Sequence, residues 1–381
     1  MKNNGNKSNR KGIARRDVLK GGTALAAAAA TTSMFLPRYG SAQDGVLNLL
    51  AWPGWGHPDT VGPFEAKHGV KVQVKEYAGG EPMLALANSS PIGTFDVILT
   101  DAEYVQMLRA GNLIVELDPN DYPFEDYWPN YQRFPLHWDG DTLFSVMVRF
   151  GYLGLSYNME QYTPKQLTSY SALWEEGAAG KVGFFDWYLP SMGCLSLYNG
   201  NKAPFDIDEA AFDKLRETMN SLAPQVAGYY SYANTYSSLA NGQVYLIPGI
   251  GEWLTLGLRK DGVPVNTHIP DEGGIQWTES FSIARGARSP ELANEFIKWM
   301  ASPEGQVRCA LRPGNETGIA SKKGWEKLNA DHPVEAEWLR MRLDKRNMMD
   351  EWNEGKIVIR RLPAQQTIED WTQAWAEMKS V

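Results

Sequence analysis

Short apolar runs that end abruptly at aromatic or acidic residues recur through this chain, and they constrain its fold more than any other feature. Residues 46–51 lead into Trp52, and residues 94–100 lead into Asp101. Runs of four to eight apolar residues bounded by turn-forming residues predict buried strands. When helical segments separate such strands, the pattern predicts an α/β fold with an open sheet. In sheets of this kind, ligands bind beyond the carboxyl ends of the strands.

The stretch 273–284 carries the clearest candidate for ligand chemistry. Trp277 and Glu279 stand two residues apart in it, just after Gly273-Gly274. On an extended backbone, residues i and i+2 point to the same face, so both side chains are predicted to face one cleft. An aromatic face beside a carboxylate suits an amine, through cation–π attraction and a charge-assisted hydrogen bond. The alternative is a core tryptophan and a solvated glutamate.

Two strand ends near the amino terminus add further candidates. Trp52 and Trp55 lie in a Pro- and Gly-containing loop after the first predicted strand, where local packing is the alternative to a ligand role. Asp101 and Glu103 follow the strand predicted over 94–100. For Asp101, capping of the next helix is the alternative.

The strands predicted over 181–185 and 244–248 supply four more candidates just beyond their ends. These are Asp186, Trp187, Glu252 and Trp253. Gly249 and Gly251 form a Gly-x-Gly, but Leu254 stands where a third glycine would be needed. A dinucleotide site is therefore rejected.

Arg149 lies in the first of two apolar extended runs, 143–150 and 153–157, which are predicted to cross between two lobes. A buried arginine needs a carboxylate partner, from the protein or from a ligand. Pairing within the protein is the main expectation, and an acidic group on the ligand is the alternative.

Composition favours binding over catalysis. A chain of 381 residues indicates about two domains. Its two cysteines, Cys194 and Cys309, exclude a disulfide scaffold and a Cys-rich metal site. Buried free thiols are expected, with a single disulfide between them as the alternative. The sequence has no His-Glu-x-x-His, P-loop or Gly-x-Ser-x-Gly motif. We therefore predict no catalytic residue, metal or cofactor, with a secreted hydrolase using paired carboxylates as the alternative.

Residues 1–42 are predicted to be an export signal. They contain Arg15-Arg16, a weakly apolar run and a small-residue site before Gln43, a pattern typical of twin-arginine export to the periplasm. No later stretch approaches the length of a membrane span.

Removal of the basic segment 1–42 would make the net charge of the remaining chain more negative than the −8 of the full chain. An acidic protein does not suit nucleic acid and is compatible with a cationic small molecule.

Helix signals are clearest in the second half of the chain. Asp208 is predicted to cap a helix, and Ser289-Pro290 and Ser302-Pro303 each mark a helix start. The tail from residue 338 to 381 is predicted to be mostly helical, interrupted at Gly355 and Pro363.

Taken together, these segments resemble the periplasmic polyamine-binding proteins of ABC transporters, the spermidine/putrescine receptors. The segments that carry the resemblance are 51–52, 95–98, 111–114, 151–158, 263–264 and, most specifically, 270–280. The resemblance implies a type II periplasmic-binding-protein fold with two α/β lobes and a hinge. It also implies that Trp277 and Glu279 hold an amine, with residues 52, 55, 101 and 103 lining the same cleft.

The lobe boundaries follow from the same resemblance. The first lobe is expected to contain residues 43–150 and 279–350, and the second lobe residues 151–278. The C-terminal helices, over 351–381, are expected to return to the second lobe. The partners implied are a small amine and the permease of an ABC importer, and the protein is expected to be a monomer.

Three departures from the family pattern bear on the ligand. Trp187 and Pro190 fall where the family usually has an acidic pair, although Asp186 is adjacent. Gly251 falls where the family has an aromatic residue, and Arg149 replaces an aromatic residue on the crossing strand. A polyamine needs a carboxylate at each ammonium group. The predicted ligand is a putrescine- or spermidine-like polyamine, with a zwitterion such as an ω-amino acid as the alternative.

Overall fold

The strands form one large sheet and a small two-stranded ribbon. The computed structural model describes residues 45–380, and the export segment predicted over 1–42 lies outside them. In this described part the strands are β1 (Val46–Ala51), β2 (Lys71–Glu76), β3 (Val97–Asp101), β4 (Trp138–Asp139), β5 (Thr142–Leu143), β6 (Val146–Asn158), β7 (Val182–Phe185), β8 (Val226–Tyr230), β9 (Leu246–Gly251), β10 (Val265–His268), β11 (Gly274–Ile283) and β12 (Ile357–Ile359).

The large sheet has two parallel groups of strands joined through two antiparallel strands. Its order is β2-β1-β3-β11-β6-β9-β7-β8, with β10 beside β6 and β12 beside β11. We call β1, β2 and β3 the first strand group and β7, β8 and β9 the second strand group. Within each group the strands run parallel, whereas β11 and β6 run antiparallel to each other and to their outer neighbours. Every residue of β6 and β11 is buried, as in a sheet covered on both faces.

The strand register brings the carboxyl ends of both groups to the middle of β6. Asp101, the last residue of β3, lies opposite Glu279, which lies opposite Arg149 of β6. From the other side, Gly251 at the end of β9 lies opposite Leu153 of β6. Since ligands collect at the carboxyl ends of parallel strands, this convergence marks the expected place for a site.

Helices cover the sheet and connect its strands. They are α1 (Pro58–His68), α2 (Gly80–Ser89), α3 (Val105–Ala110), α4 (Pro129–Gln132), α5 (Tyr188–Tyr198), α6 (Glu209–Ser221), α7 (Tyr232–Ala240), α8 (Glu252–Lys260), α9 (Pro290–Ala301), α10 (Pro303–Ala310), α11 (Lys322–Asp331), α12 (Pro333–Trp338), α13 (Met348–Asn353) and α14 (Ile368–Met378). None of these is long and apolar enough to cross a membrane.

The predicted helix starts are confirmed, and two of the three predicted caps form. The Asp208 carboxylate accepts a hydrogen bond from the backbone N–H of Ala211, and the Ser302 hydroxyl accepts one from Gly305. Ser289 precedes the helix at Pro290 but makes no side-chain capping hydrogen bond. The caps satisfy backbone donors that a helix start leaves unpaired.

The prediction that the tail is mostly helical is wrong. Residues 357–359 form β12, which pairs in parallel with β11, and irregular chain separates it from α14. The strand is only three residues long, so its β-branched sequence is too short to show a period. Beyond it, α14 packs against α5 and α6. As a result of this pairing, Arg360, the residue that follows β12, lies beside the end of β3.

The two apolar runs predicted on either side of residue 151 are a single strand, β6. Glycines permit close contacts along it: a Cβ on Gly151 would lie 2.2 Å from Glu252 Oε1 and 2.6 Å from Trp277 Nε1. A Cβ on Gly154 would lie 2.3 Å from the carbonyl oxygen of His268. These glycines let neighbouring side chains and backbone pack directly against the strand.

Both cysteines are buried and free, as predicted. Burial raises the pKa of the Cys194 and Cys309 thiols to about 12. A thiol with so high a pKa is a poor nucleophile, so each residue serves as a small core side chain.

Candidate ligand-binding site

A cavity lies where the strand ends converge on β6 and β11. Seven of the predicted site residues line it: Trp52, Asp101, Arg149, Trp187, Trp253, Trp277 and Glu279. Eight further lining residues were not predicted: Leu153, Phe185, Pro190, Tyr232, Gly249, Arg312, Asn315 and Arg360. Trp277 and Glu279 thus reach one cavity together, as their spacing on an extended backbone predicts.

The cavity is small. The volume that the centre of a water molecule can reach inside it is about 50 Å³. Because one water needs roughly 10–15 Å³ on that measure, the space admits a few waters or a compact solute. A long extended ligand would require the walls to separate further.

Arg149 and Glu279 form a buried ion pair on one wall. The Arg149 Nε donates to Glu279 Oε2 at 2.5 Å, and its Nη1 donates to the carbonyl oxygen of Asn315 at 2.9 Å. The guanidinium also lies over the rings of Trp55 and Trp277, at 5.0 and 5.4 Å from their centroids. The Glu279 carboxylate is therefore engaged by the protein itself.

Arg360 engages the acids at the end of β3. Its Nε donates to Glu103 Oε1 at 2.6 Å, and its Nη2 donates to Asp101 Oδ1. The other Asp101 oxygen accepts a hydrogen bond from Trp52 Nε1 at 2.9 Å. Burial raises the pKa of both carboxyl groups, against the opposing effect of Arg360, and brings that of Glu103 to about 8. Two acids thus share one arginine, and Asp101 is the one that lines the cavity.

Arg312 is a third arginine in the cavity lining. Its Nη1 donates to the carbonyl oxygen of Pro53 and its Nη2 to Asn315 Oδ1, each at 2.6 Å. The side chain is almost fully buried and lies over Trp55, 5.1 Å from the ring centroid. Its Nε has no hydrogen-bond partner, and no carboxylate of residues 45–380 pairs with it. Burial, followed by the charge of Arg149, lowers the pKa of this guanidinium to about 10.

Aromatic side chains from both strand groups complete the walls. Trp52 and Trp187 approach across the cavity with ring centroids 5.9 Å apart, and Tyr232 stacks on Trp253 at 5.6 Å. The Tyr232 hydroxyl accepts a hydrogen bond from Asn315 Nδ2 at 2.8 Å. The walls therefore touch each other through aromatic and polar contacts.

Two predicted residues, Trp55 and Glu103, lie just behind the lining. Trp55 is fully buried, packs edge-on against Phe281, and supports Arg149 and Arg312 on its ring. Glu103 lies behind Arg360 and pairs with it. Both residues position charged groups of the cavity without lining it. Helix capping by Asp101, the alternative given above, does not occur, because its side chain bonds to Trp52 and Arg360 instead.

The other two predicted residues outside the lining have different partners. Asp186 accepts hydrogen bonds from Trp375 Nε1 at 3.0 Å and Lys379 Nζ at 2.8 Å, which tie it to α14. Glu252 accepts from the backbone N–H of Tyr152 at 3.2 Å and from Thr317. Position after a strand end is therefore not enough to bring an acid into the cavity.

The missed residues with charged or amide side chains lie on segments without a clear strand signal. Arg312 and Asn315 belong to the loop after α10, and Arg360 follows the three-residue strand β12. The β-branched run 357–359 is the one local signal that was available, and it is too short to identify a strand by itself.

Comparison with known proteins identifies the class. The profile of the bacterial extracellular solute-binding proteins matches residues 59–319, so the chain belongs to this family. It is 25% identical to the spermidine/putrescine-binding periplasmic protein of Escherichia coli K12 over 289 residues, which cover 74% of this chain and 80% of that protein.

Solved structures share the fold. A putative spermidine/putrescine ABC transporter protein from Listeria monocytogenes superposes with a TM-score of 0.74 at 20% identity, covering 88% of this chain and 99% of that one. A GABA receptor superposes with a TM-score of 0.63 at 15% identity, covering 87% and 97%. The predicted type II periplasmic-binding-protein fold is confirmed.

Proposed function

We propose that this chain is the periplasmic solute receptor of an ABC importer and that it binds a small organic amine in the cavity. The observation that carries the proposal is the convergence of two strand groups on one cavity lined by aromatic and charged side chains. The names of its relatives support the transport role and the amine. The bound receptor would deliver its solute to a membrane permease.

Closure around the ligand follows from the division of the cavity walls between the two proposed lobes. The proposed lobe boundaries, at residues 150–151 and 278–279, fall in the middle of β6 and β11, where the strand ends converge. A ligand that touches both walls binds the closed arrangement better than the open one and shifts the population toward it. Arg312 and Asn315 would then act from the first lobe, and Tyr232 and Trp253 from the second.

Two ligand classes are consistent with this site. Spermidine and putrescine are named for the curated relatives, and GABA is named for one protein of the same fold. A polyamine requires a carboxylate near each ammonium group. Both carboxylates in the lining, Asp101 and Glu279, already pair with arginines. The choice between a diamine and a carboxylate-bearing amine therefore depends on how the remaining charges are distributed around the cavity.

A thermal-shift and calorimetry screen of the exported protein tests the proposed function. The panel contains putrescine, spermidine, GABA and other ω-amino acids, with glucose as the uncharged control. A ligand present at a few hundred times its Kd is expected to stabilise the protein by about 3–4 kcal/mol. Stabilisation by at least one amine, without chemical change of that amine, supports the receptor. If none of the amines stabilises the protein, the proposal fails.

The competing class, a secreted hydrolase with paired carboxylates, is tested in the same samples. It predicts new products by chromatography, and it predicts that Glu279→Gln abolishes them. A receptor returns each ligand unaltered whatever residue stands at position 279.

A further inference from the structure

We infer that the natural ligand carries a carboxylate as well as an amine, and that Arg312 binds this carboxylate. The inference rests on the proposed function, because it assigns the ligand of the same cavity. Its starting point is a difference among the three arginines in the lining. Arg149 and Arg360 each pair with protein carboxylates, whereas Arg312 bonds, within residues 45–380, only to a carbonyl oxygen and an amide oxygen.

The environment of Arg312 makes an ionic partner energetically important. The residue is 2% exposed, and its Nε–H lacks an acceptor among the described residues. A buried charge without a counter-ion is costly, and buried charges in proteins are normally paired. Guanidinium and carboxylate groups match in geometry and form strong charge-assisted hydrogen bonds. A ligand carboxylate at Arg312 therefore supplies the ionic partner that the described part of the chain does not.

A pair of acidic side chains lies at the end of β3. There Asp101 and Glu103 share the single cation of Arg360, and Asp101 lines the cavity. The rings of Trp52 and Trp187 flank this end. An ammonium group is attracted by the aromatic faces and by Asp101, and its charge favours the ionised form of Glu103. The cavity thus presents a cation at Arg312 and an acidic, aromatic surface near Asp101.

This distribution fits a zwitterion better than a dication. A diamine would place one ammonium near Asp101 and would bring the other into the field of Arg312, where like charges repel. An ω-amino acid places its carboxylate at Arg312 and its ammonium group near Asp101 and the aromatic rings. The small volume of the cavity also favours a compact ligand.

Matched ligand pairs test the inference on the wild-type protein. GABA and putrescine share a four-carbon length and differ at one end, where a carboxylate replaces an aminomethyl group. The pair 5-aminopentanoate and cadaverine repeats the comparison one carbon longer. Isothermal titration calorimetry is expected to show the amino acid of at least one pair binding on the order of a hundredfold more tightly than its diamine. Tighter binding of the diamine in both pairs overturns the inference and leaves the proposed function intact.

Substitution of Arg312 tests the assigned residue. Arg312→Met is expected to weaken amino-acid binding on the order of a hundredfold and to leave diamine binding unchanged or improved. Arg308→Met is the matched control, because Arg308 lies on α10, four residues before Arg312, outside the cavity lining, and bonds to Asp59 and Glu304. Arg312→Lys, which keeps the charge, is expected to retain part of the preference. If Arg312→Met folds and its amino-acid affinity changes less than threefold, the assignment to Arg312 is wrong.

The failures of the two proposals are distinguishable. Binding of diamines alone contradicts the carboxylate at Arg312 but supports an amine receptor. Absence of binding by every amine contradicts the receptor for amines, and with it the present inference. Circular dichroism and the ligand-free melting temperature of Arg312→Met establish that a loss of affinity does not come from unfolding.

Discussion

Arg149 of β6 and Glu279 of β11 lie directly opposite each other in the sheet and join their side chains at 2.5 Å in the buried wall of the cavity. Glu279 was predicted to hold an amine of the ligand, and Arg149 was expected mainly to pair with a protein carboxylate, with an acidic ligand group as the alternative. The two residues pair with each other through Glu279 Oε2, so the charge of this acid is already balanced by Arg149. The charge that reaches a ligand is therefore set by the residues around this pair.

The Arg149–Glu279 pair is expected to be important for stability. Glu279→Gln leaves a buried guanidinium without its counter-ion, which should lower the free energy of unfolding by about 3–5 kcal/mol. Urea denaturation monitored by tryptophan fluorescence measures the change. The double variant Arg149→Met/Glu279→Gln removes both charges and should recover part of the loss. An unchanged urea midpoint for Glu279→Gln would show that the pair does not form.

Arg360 is expected to hold the end of β3 in place. Arg360→Met leaves Asp101 and Glu103 buried together without a cation, at an expected cost of about 3–5 kcal/mol in unfolding free energy. Arg361→Met is the matched control, since the neighbouring arginine is exposed. Equal destabilisation by the two substitutions would contradict the role assigned to Arg360.

The hydroxyl of Tyr188 is expected to favour the closed arrangement. It donates to Glu81 Oε1 at 2.9 Å, and this bond joins α5, beside the second strand group, to α2, beside the first. Loss of a hydrogen bond to a charged acceptor in Tyr188→Phe should raise the Kd of the ligand roughly tenfold. Tyr104→Phe is the control, because Tyr104 also donates to Glu81 Oε1 but lies, like Glu81, beside the first strand group. Its hydrogen bond therefore does not join the two groups. Calorimetry showing equal Kd values for Tyr188→Phe and wild type would exclude a role in closure.

Stability is expected to fall in mild acid because of His137. Burial lowers the pKa of this histidine from 6.5 to about 3, so the unfolded state binds a proton that the folded state does not. The free energy of unfolding should then decrease as pH falls from about 6.5 to 5, by up to about 1.4 kcal/mol per pH unit from this residue. His137→Phe should flatten the profile. Burial also lowers the pKa of His68 and His268, but both are unchanged in the variant, so the difference between the profiles isolates His137.

Export is expected to depend on the paired arginines of the amino terminus. Replacing Arg15 and Arg16 together with lysine keeps the positive charge but removes the twin-arginine pattern. The full-length precursor should then accumulate inside the cell and the shorter form should disappear from the periplasmic fraction, as seen by immunoblotting. Normal export of the double variant would point to a different route.

Local sequence was sufficient for the parts of this protein that depend on neighbouring residues. Alternation places Trp277 and Glu279 on one face of an extended strand, and apolar runs ending at Trp52 and Asp101 place those residues at strand ends. All four line the cavity. Burial of Arg149 in an apolar run likewise predicted its pairing with a carboxylate, since an unpaired charge would be costly there.

Which acids remain available to a ligand was decided only by the tertiary structure. Arg360 lies 257 residues from Glu103 in sequence, and Arg149 lies 130 residues from Glu279. Local periodicity carries no information about such pairs, because a salt bridge depends on where separate strands bring their side chains. The same holds for Arg312, whose lack of a counter-ion among residues 45–380 is visible only once the surrounding residues are in place. The sequence determined the strands and the class of protein, and long-range packing determined the charge that the cavity offers to its ligand.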